Sequence, residues 1–595
     1  LCQLPTMAAA EPIQPAAENE LLAWLTPMAH LDDQPSNAAG GNPLAPVARF
    51  YRMVDYQPVW VDANGLRSQG KILWRAIMGS AGDGLRPDDY LVPALVPPLK
   101  DAASFSHEVR LSYPKQYVQM DVALTAVMLK YAIHLEQGRI APQTLAHMGV
   151  ADQPTPGSDL PAELAAAVKE DRLTAFIEAL RPKQKAYGRL RSALKRYDHI
   201  RETGGWPAIA PGPSLTLGDR GPRVSALRNR LALSGDLSSG LPVDNDNYDR
   251  GLETAVMRFQ YRHGLVADGV VGKKTLAALS VSVEARILAL QLNMERWRWY
   301  PDSFGKRYLL VNIPDYTLAV MEGDWMVRRM RAIVGKSRRQ TPALSGRMTY
   351  LEFNPYWNIP RKIARRDILP KVVSDPEYLT RQGIRVFDSW DRQAREVDPA
   401  GIIWENLSAN HFPYRLRQDP SDVNALGRIK FMFPNPQSVY IHDTPGRALF
   451  NRQERHFSSG CIRVETPLDL AQYLLDGQGW TLSRLEAAMM NGRRQTVVLD
   501  DPIPVHLVYF TAWVDADGAV NFREDIYDRD RELLIALNHR DTSLIVCTTD
   551  ATRNHLMAVC SPLPTRPDAM ADASTRIASS TAPPDEVADN PTTGL

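Results

Sequence analysis

The chain has 595 residues, 44% of them apolar and 23% charged, with a formal net charge of +1. That length exceeds what one hydrophobic core serves and implies three or four domains. The near-zero charge excludes the basic excess of a nucleic-acid binder, so no nucleic-acid partner is expected. No apolar stretch is expected to reach the ~18 residues of a membrane helix. The best candidate, residues 123–133, is interrupted by Lys130 and reads as a buried helix, so the chain is expected to be soluble.

The first residue is Leu1, and Met7-Ala8-Ala9-Ala10 precedes Glu11. This fits either the small-residue end of a signal peptide or a disordered arm, so residues 1–45 are expected to be a signal remnant and flexible lead-in. In residues 46–205, Val118, Val122, Thr125, Leu129 and Ile133 recur every three or four positions and mark one apolar helix face. This unit reads as a helical scaffold domain, with His134 a packed or capping residue and Gly138 a helix stop.

A Pro/Gly-rich break from Trp206-Pro207 to Pro211-Gly212-Pro213 opens a unit at 206–283. Val224, Leu227 and Leu231, then Leu252, Val256, Phe259-Gln260, Gly264-Leu265, Asp268-Gly269-Val270-Val271-Gly272 and Thr275 predict short helices separated by glycine turns. The string resembles the small three-helix peptidoglycan-binding module, which implies that glycan strands bind at 206–283. A linker helix at 284–305 follows. The periodicity then changes to two, and Tyr308–Ile313 with Thr317–Met321 predicts a hairpin. Further strands are expected at 327–334, 349–353, 428–433 and 438–441, with a closing pair at 505–514 and 518–526. A charged, helix-prone stretch at 361–424 interrupts them and is expected to be a lid. Residues 533–595, rich in Ala, Thr, Ser, Asp and Pro, are expected to be a disordered tail.

Four cysteines, Cys2, Cys461, Cys547 and Cys560, do not make a disulfide framework, although Cys547 and Cys560 could pair with each other. Cys461 stands in the most patterned segment, Tyr440-Ile441-His442-Asp443-Thr444 followed by Ser458-Ser459-Gly460-Cys461-Ile462-Arg463. A free cysteine is only about 3% thiolate at pH 7, so a nucleophilic one needs a partner. His442 supplies that partner, either as a base or as the imidazolium half of an ion pair. Gly460 lets backbone amides turn inward toward an oxyanion, and Arg463 suits a substrate carboxylate.

This arrangement resembles the L,D-transpeptidase family, with its YkuD-type catalytic domain and signature of a histidine followed by Ser-x-Gly-Cys-x-Arg. The order of parts is similar to the large YcbB-like members, as are Tyr56-Gln57-Pro58-Val59-Trp60, Asn354-Pro355-Tyr356-Trp357-Asn358-Ile359-Pro360, Asp367-Ile368-Leu369-Pro370-Lys371 and Leu426-Gly427-Arg428. The resemblance implies a multidomain α+β protein. It comprises a helical scaffold domain, the peptidoglycan-binding module and a mostly-β catalytic domain at 306–532 with a helical lid insertion.

The resemblance further implies Cys461 as nucleophile and His442 as general base. Tyr440, Ser459, Gly460 and Arg463 would serve as oxyanion and substrate-binding residues. His456 is expected to face solvent or to contact a neighbour of the catalytic pair, without a catalytic role of its own. No cofactor and no metal are implied. The implied reaction is acylation by the third residue of a tetrapeptide stem with release of D-alanine, then transfer to an amine to form a 3→3 cross-link. Donor and acceptor stems would be the partners, with other wall-synthesis enzymes, in a Gram-negative periplasm, and carbapenems would acylate the thiol.

Three other readings compete. A zinc peptidase could draw on His442, Asp443, His456 and Cys461, but no His-Glu-x-x-His frames them. A serine acyltransferase through Ser458 or Ser459 lacks Gly-x-Ser-x-Gly and Ser-x-x-Lys. A non-catalytic wall-binding protein would simply bury Cys461.

Overall fold

A computed structural model describes residues 45–62, 65–91, 114–150, 158–237, 245–391, 393–408 and 410–538, together with 19, 22 and 23. The expectations for the lead-in, for Cys2, Cys547 and Cys560, and for the tail beyond 538 lie outside the described residues.

The scaffold is built around α3 (Pro114–Glu136), with α1 (Ala45–Met53), α2 (Ser68–Met78), α4 (Leu160–Lys169) and α5 (Leu173–Ala179) packed against it. Contrary to expectation, Val118–Glu136 is long and apolar enough to cross a membrane. The physical reason is its place at the centre of this unit, where 83% of the apolar window is buried against other helices. Its Asp121 is fully buried and accepts from the backbone N–H groups of Val59 (3.1 Å), Trp60 (2.7 Å) and Val61 (3.1 Å) and from the Tyr51 hydroxyl. The Tyr56–Trp60 motif thus delivers its backbone donors to one buried carboxylate. His134 packs as expected, its Nδ1 2.9 Å from the Tyr90 hydroxyl.

After α6 (Lys185–Glu202) comes a small unit of α7 (Pro222–Leu233), α8 (Arg250–Arg262) and α9 (Lys273–Leu279) around Leu227, Leu231, Leu252 and Phe259. Asp249 caps α8 by accepting from the Leu252 N–H at 2.8 Å. Gln260 locks the glycine turn: its Nε2 donates to the Val270 carbonyl (2.9 Å) and its Oε1 accepts from the Gly269 N–H (2.9 Å).

The expected linker contains α10 (Val283–Trp297), which is a core element. Leu290, Met294 and Trp297 join Leu190, Leu194 and Tyr197 of α6 and Phe510, Ala512 and Phe522 in one cluster. Its register buries apolar residues on more than one side, which no solvent-exposed linker requires.

Among the described residues, nine strands form the main sheet: β1 (Arg307–Asn312), β2 (Thr317–Glu322), β3 (Trp325–Gly335), β4 (Leu344–Phe353), β5 (Ile429–Met432), β6 (Ile441–His442), β7 (His456–Ser458), β8 (Ile462–Val464) and β9 (Gln495–Val508). Their order is β7-β3-β8-β6-β5-β4-β9-β1-β2, and β2 also pairs with β3, which closes the sheet on itself. Closure leaves few free edges. Leu351, Phe353, Ile429, Phe431, Ile441, Ile462 and Val464 fill one face with α11 (Pro467–Leu474) and α12 (Leu482–Met490).

Two sequence expectations change here. The stretch 505–514 splits: its first half is the end of β9, parallel to β1, while Ala512–Val514 pairs with Val520–Phe522 in a separate hairpin. The insertion is also not helical throughout. Its helical turns at 361–374 and 378–381 accompany a four-stranded sheet of Trp357–Asn358, Ile384–Phe387, Glu396–Val397 and Arg415–Gln418 around Val386, Leu379 and Leu416. The chain then ends, among the described residues, in α13 (Arg529–Asn538), which runs past the boundary expected at 532. Leu533 is fully buried with Ile140, Leu145, Leu292 and Trp299, and this apolar contact is what orders the segment.

Candidate active site

β6 and β8 are parallel, with Ile441 opposite Ile462 and His442 opposite Arg463, and the Ile462 N–H donates to the Tyr440 carbonyl at 3.1 Å. Side chains alternate across a strand. Ile441, Ile462 and Val464 therefore enter the apolar core, and Tyr440, His442, Cys461 and Arg463 share the opposite face. β5 extends that face with Lys430, which lies opposite His442.

Cys461 is half-buried and is the free cysteine among the described residues. Two donors from Tyr440, its backbone N–H and its hydroxyl, meet the sulfur. The Tyr440 hydroxyl in turn accepts from Trp357, so its own proton is free to point at the sulfur. Lys430 and Arg463 act on the thiol as cations and lower its pKa, yet burial is the larger effect and pushes it up. The resting group is a thiol.

His442 is 4% exposed, and its Nδ1 lies 2.5 Å from the Asp443 carbonyl. The Leu426 carbonyl also bonds the ring. Burial, then Arg463 and Lys430, depress its pKa to about 3. The imidazole is therefore neutral and carries one N–H, which the Asp443 carbonyl beside Nδ1 is placed to accept. Cys461 and His442 are diagonal neighbours on one face and are not hydrogen-bonded to each other. A neutral thiol beside a neutral imidazole favours a base that acts during attack over a standing ion pair.

Asp443 is buried and accepts from the Arg428 N–H (2.8 Å) and the Thr444 N–H (2.7 Å). Gly427, at φ +62°, packs so closely that an added Cβ would lie 2.4 Å from the Asp443 carboxylate. This gives the Leu426-Gly427-Arg428 motif its reason: it builds the wall against which His442 is held.

The Ser458–Cys461 turn is organised differently from expectation. Ser458 is buried; its Oγ donates to the Cys461 carbonyl (2.6 Å) and accepts from the Gly460 N–H (3.1 Å). The Gly460 amide is thus occupied within the turn, and its carbonyl accepts from Thr341 Oγ1 at 2.9 Å. At φ +116°, this position still requires glycine. Ser459 is exposed and accepts from Arg339 at 3.0 Å. Arg463 is on that face, with a buried Nε that has no partner. His456 is half-buried on β7, its Nδ1 2.9 Å from the Tyr316 hydroxyl.

Sequence reasoning missed Lys430, which lies 4.3 Å from the Tyr440 ring centroid and 3.8 Å from Glu352. Its signal was a lone cation between Ile429 and Phe431, both wholly buried. It also missed Trp357, whose signal was the Asn354–Pro360 motif. Among the described residues, no group of three His, Cys, Asp or Glu side chains converges as metal ligands would.

Comparison with known proteins accords with this architecture. Residues 45–194 match the model of a scaffold domain, 220–279 that of a "Putative peptidoglycan binding domain", and 306–490 that of the YkuD L,D-transpeptidase catalytic domain. A Haemophilus influenzae protein named "Putative L,D-transpeptidase" is 36% identical over 301 residues, 49% of this chain and 60% of that protein. The chain thus spans about three fifths of that relative's length. A Mycobacterium tuberculosis protein named N-acetylmuramoyl-L-alanine amidase CwlM is 36% identical over 80 residues, 12% of this chain and 20% of that one. A solved L,D-transpeptidase structure from Xylanimonas cellulosilytica aligns with a TM-score of 0.16 at 16% identity, over 50% of this chain and 100% of that one. An alignment of that quality bears no weight. The family matches do: residues 306–490 match a YkuD L,D-transpeptidase catalytic domain, preceded in the chain by matches to a scaffold domain and a peptidoglycan-binding domain.

Proposed function

We propose that the chain cross-links peptidoglycan stem peptides through a thioester on Cys461. The observation that carries this reading is the shared face of Tyr440, His442, Cys461 and Arg463 within a domain of L,D-transpeptidase type. His442 takes the thiol proton as sulfur attacks the carbonyl of the third stem residue. The S–C bond forms, the oxyanion is met by the Tyr440 hydroxyl, and the C–N bond to D-alanine breaks as His442 returns the proton to the leaving amine. The side-chain amine of a second stem then attacks the thioester, loses its proton to His442 and releases the thiol, leaving a 3→3 cross-link. Arg463, with its unpartnered buried nitrogen, holds a donor carboxylate. Gly460 shapes the turn that presents the sulfur, and Ser459 contacts substrate only at its edge. Residues 206–283 hold glycan strands, and the chain works in the periplasm.

The test is incubation with purified disaccharide-tetrapeptide and mass analysis of products. The expected product is a dimer lacking one D-alanine. Cys461→Ala abolishes it, His442→Ala lowers the rate by roughly 10²–10⁴-fold, and a carbapenem adds its mass to the wild type alone. Dimer formation by Cys461→Ala, with no carbapenem adduct on the wild type, would overturn the reading.

A further inference from the structure

A cleft of about 580 Å³ lies between the insertion and the closed sheet, lined by Lys336, Ser337, Arg338, Arg339, Arg366 and His456. It adjoins the cysteine turn: the Lys336 N–H donates to the Ser458 carbonyl at 3.1 Å, and Arg339 reaches Ser459 Oγ at 3.0 Å. Four cations therefore border one cavity. Arg339 is paired with Asp367 through both terminal nitrogens. Lys336, Arg338 and Arg366 have no carboxylate within ion-pair distance among the described residues. His456 turns its Nδ1 to Tyr316, which leaves Nε2 for the cleft.

The backbone that carries these cations is held in place. Ser337–Arg339 is a 3-10 turn closed by the Arg339 N–H on the Lys336 carbonyl (2.7 Å), and Ser337 Oγ donates to the Ile526 carbonyl at 3.2 Å. Arg366 lies on a π-helical turn, Ala364–Ile368, a distortion that recurs at functional sites. Cations brought together around a concave surface repel one another and make its potential positive; a bound anion relieves the repulsion.

We propose that Lys336, Arg338 and Arg366, with His456, form an anion-binding cleft beside the Cys461 turn that holds carboxylates of the wall peptide. The choice of a peptide carboxylate rests on the proposed function; the anion site itself rests on the cleft. Arg366 belongs to the insertion, so a bound carboxylate also bridges the insertion to the sheet.

The test uses the full chain carrying Cys461→Ala, which prevents turnover. Binding of a fluorescent stem tetrapeptide is measured beside that of the same peptide with its carboxylates amidated. The free acid is expected to bind roughly tenfold more tightly, and added salt is expected to erode the difference. Adding Arg338→Gln and Arg366→Gln cuts the preference to the part that Arg463 supplies, without lowering the thermal midpoint. Equal affinity for the two peptides, or a preference that both substitutions leave undiminished, overturns the proposal. Turnover of the tetrapeptide by the unsubstituted chain is scored separately: preference without turnover keeps the cleft and sinks the transpeptidase reading.

Discussion

At the scale of single residues, the site combines two groups that are each uncharged at rest. Iodoacetamide is therefore expected to alkylate Cys461 more slowly at pH 7 than it alkylates free cysteine, with a rate that climbs into alkaline solution. A plateau between pH 5 and 8 would instead reveal a standing ion pair. Lys430→Met removes a cation that lowers the thiol pKa, so it is expected to slow alkylation further at pH 8. Gly427→Ala is expected to cut turnover at least tenfold while leaving Cys461 accessible to alkylation. The added methyl must displace Asp443, whose carbonyl holds the His442 ring. A fully active Gly427→Ala enzyme would show that the wall at 427 does not set the base.

At the scale of elements, burial patterns decided what could be read from the sequence. α3 was legible because it is long and largely apolar, and the β1–β2 hairpin because Pro314-Asp315-Tyr316 parts two apolar runs. The four strands of the insertion were not, because strands of two to four residues are too short to alternate visibly. β9 and the following hairpin merged into one reading because Leu507 through Phe510 are buried without interruption, which hides the break between them. Cys461 and His442 were legible as a motif, whereas the hold of Ser458 on the turn needed coordinates. Asp121 gives a test of the scaffold. Asp121→Ala strands three backbone donors and is expected to cost roughly 3–5 kcal/mol, read by chemical denaturation of the full chain.

At the scale of the whole molecule, buried histidines link stability to pH. His134, His263 and His442 lie in three different units, and burial lowers the pKa of each. A depressed folded pKa means the fold prefers the neutral ring. Each contribution is present above the unfolded value near 6.5 and is lost as pH falls toward the folded value, about 3 for His442. The loss is at most about 1.4 kcal/mol per pH unit per histidine. The thermal midpoint is thus expected to fall between pH 6.5 and 4. His263 stacks on Phe259 and Phe522, and Arg230, Arg262 and Arg286 near it also disfavour its charge. His263→Phe is expected to flatten that fall, and an unchanged slope would remove His263 from the account.

The parallel seating of β6 on β8 carries a consequence for any sample of the protein. Side-chain direction has a period of two, so a slip of one position between these short strands would send the sulfur among isoleucines and bring an isoleucine to the surface. No half-working arrangement exists between the two. Peptide mass analysis of Cys461 after labelling with a bulky thiol reagent would therefore count correctly seated molecules, and specific activity should scale with that count alone.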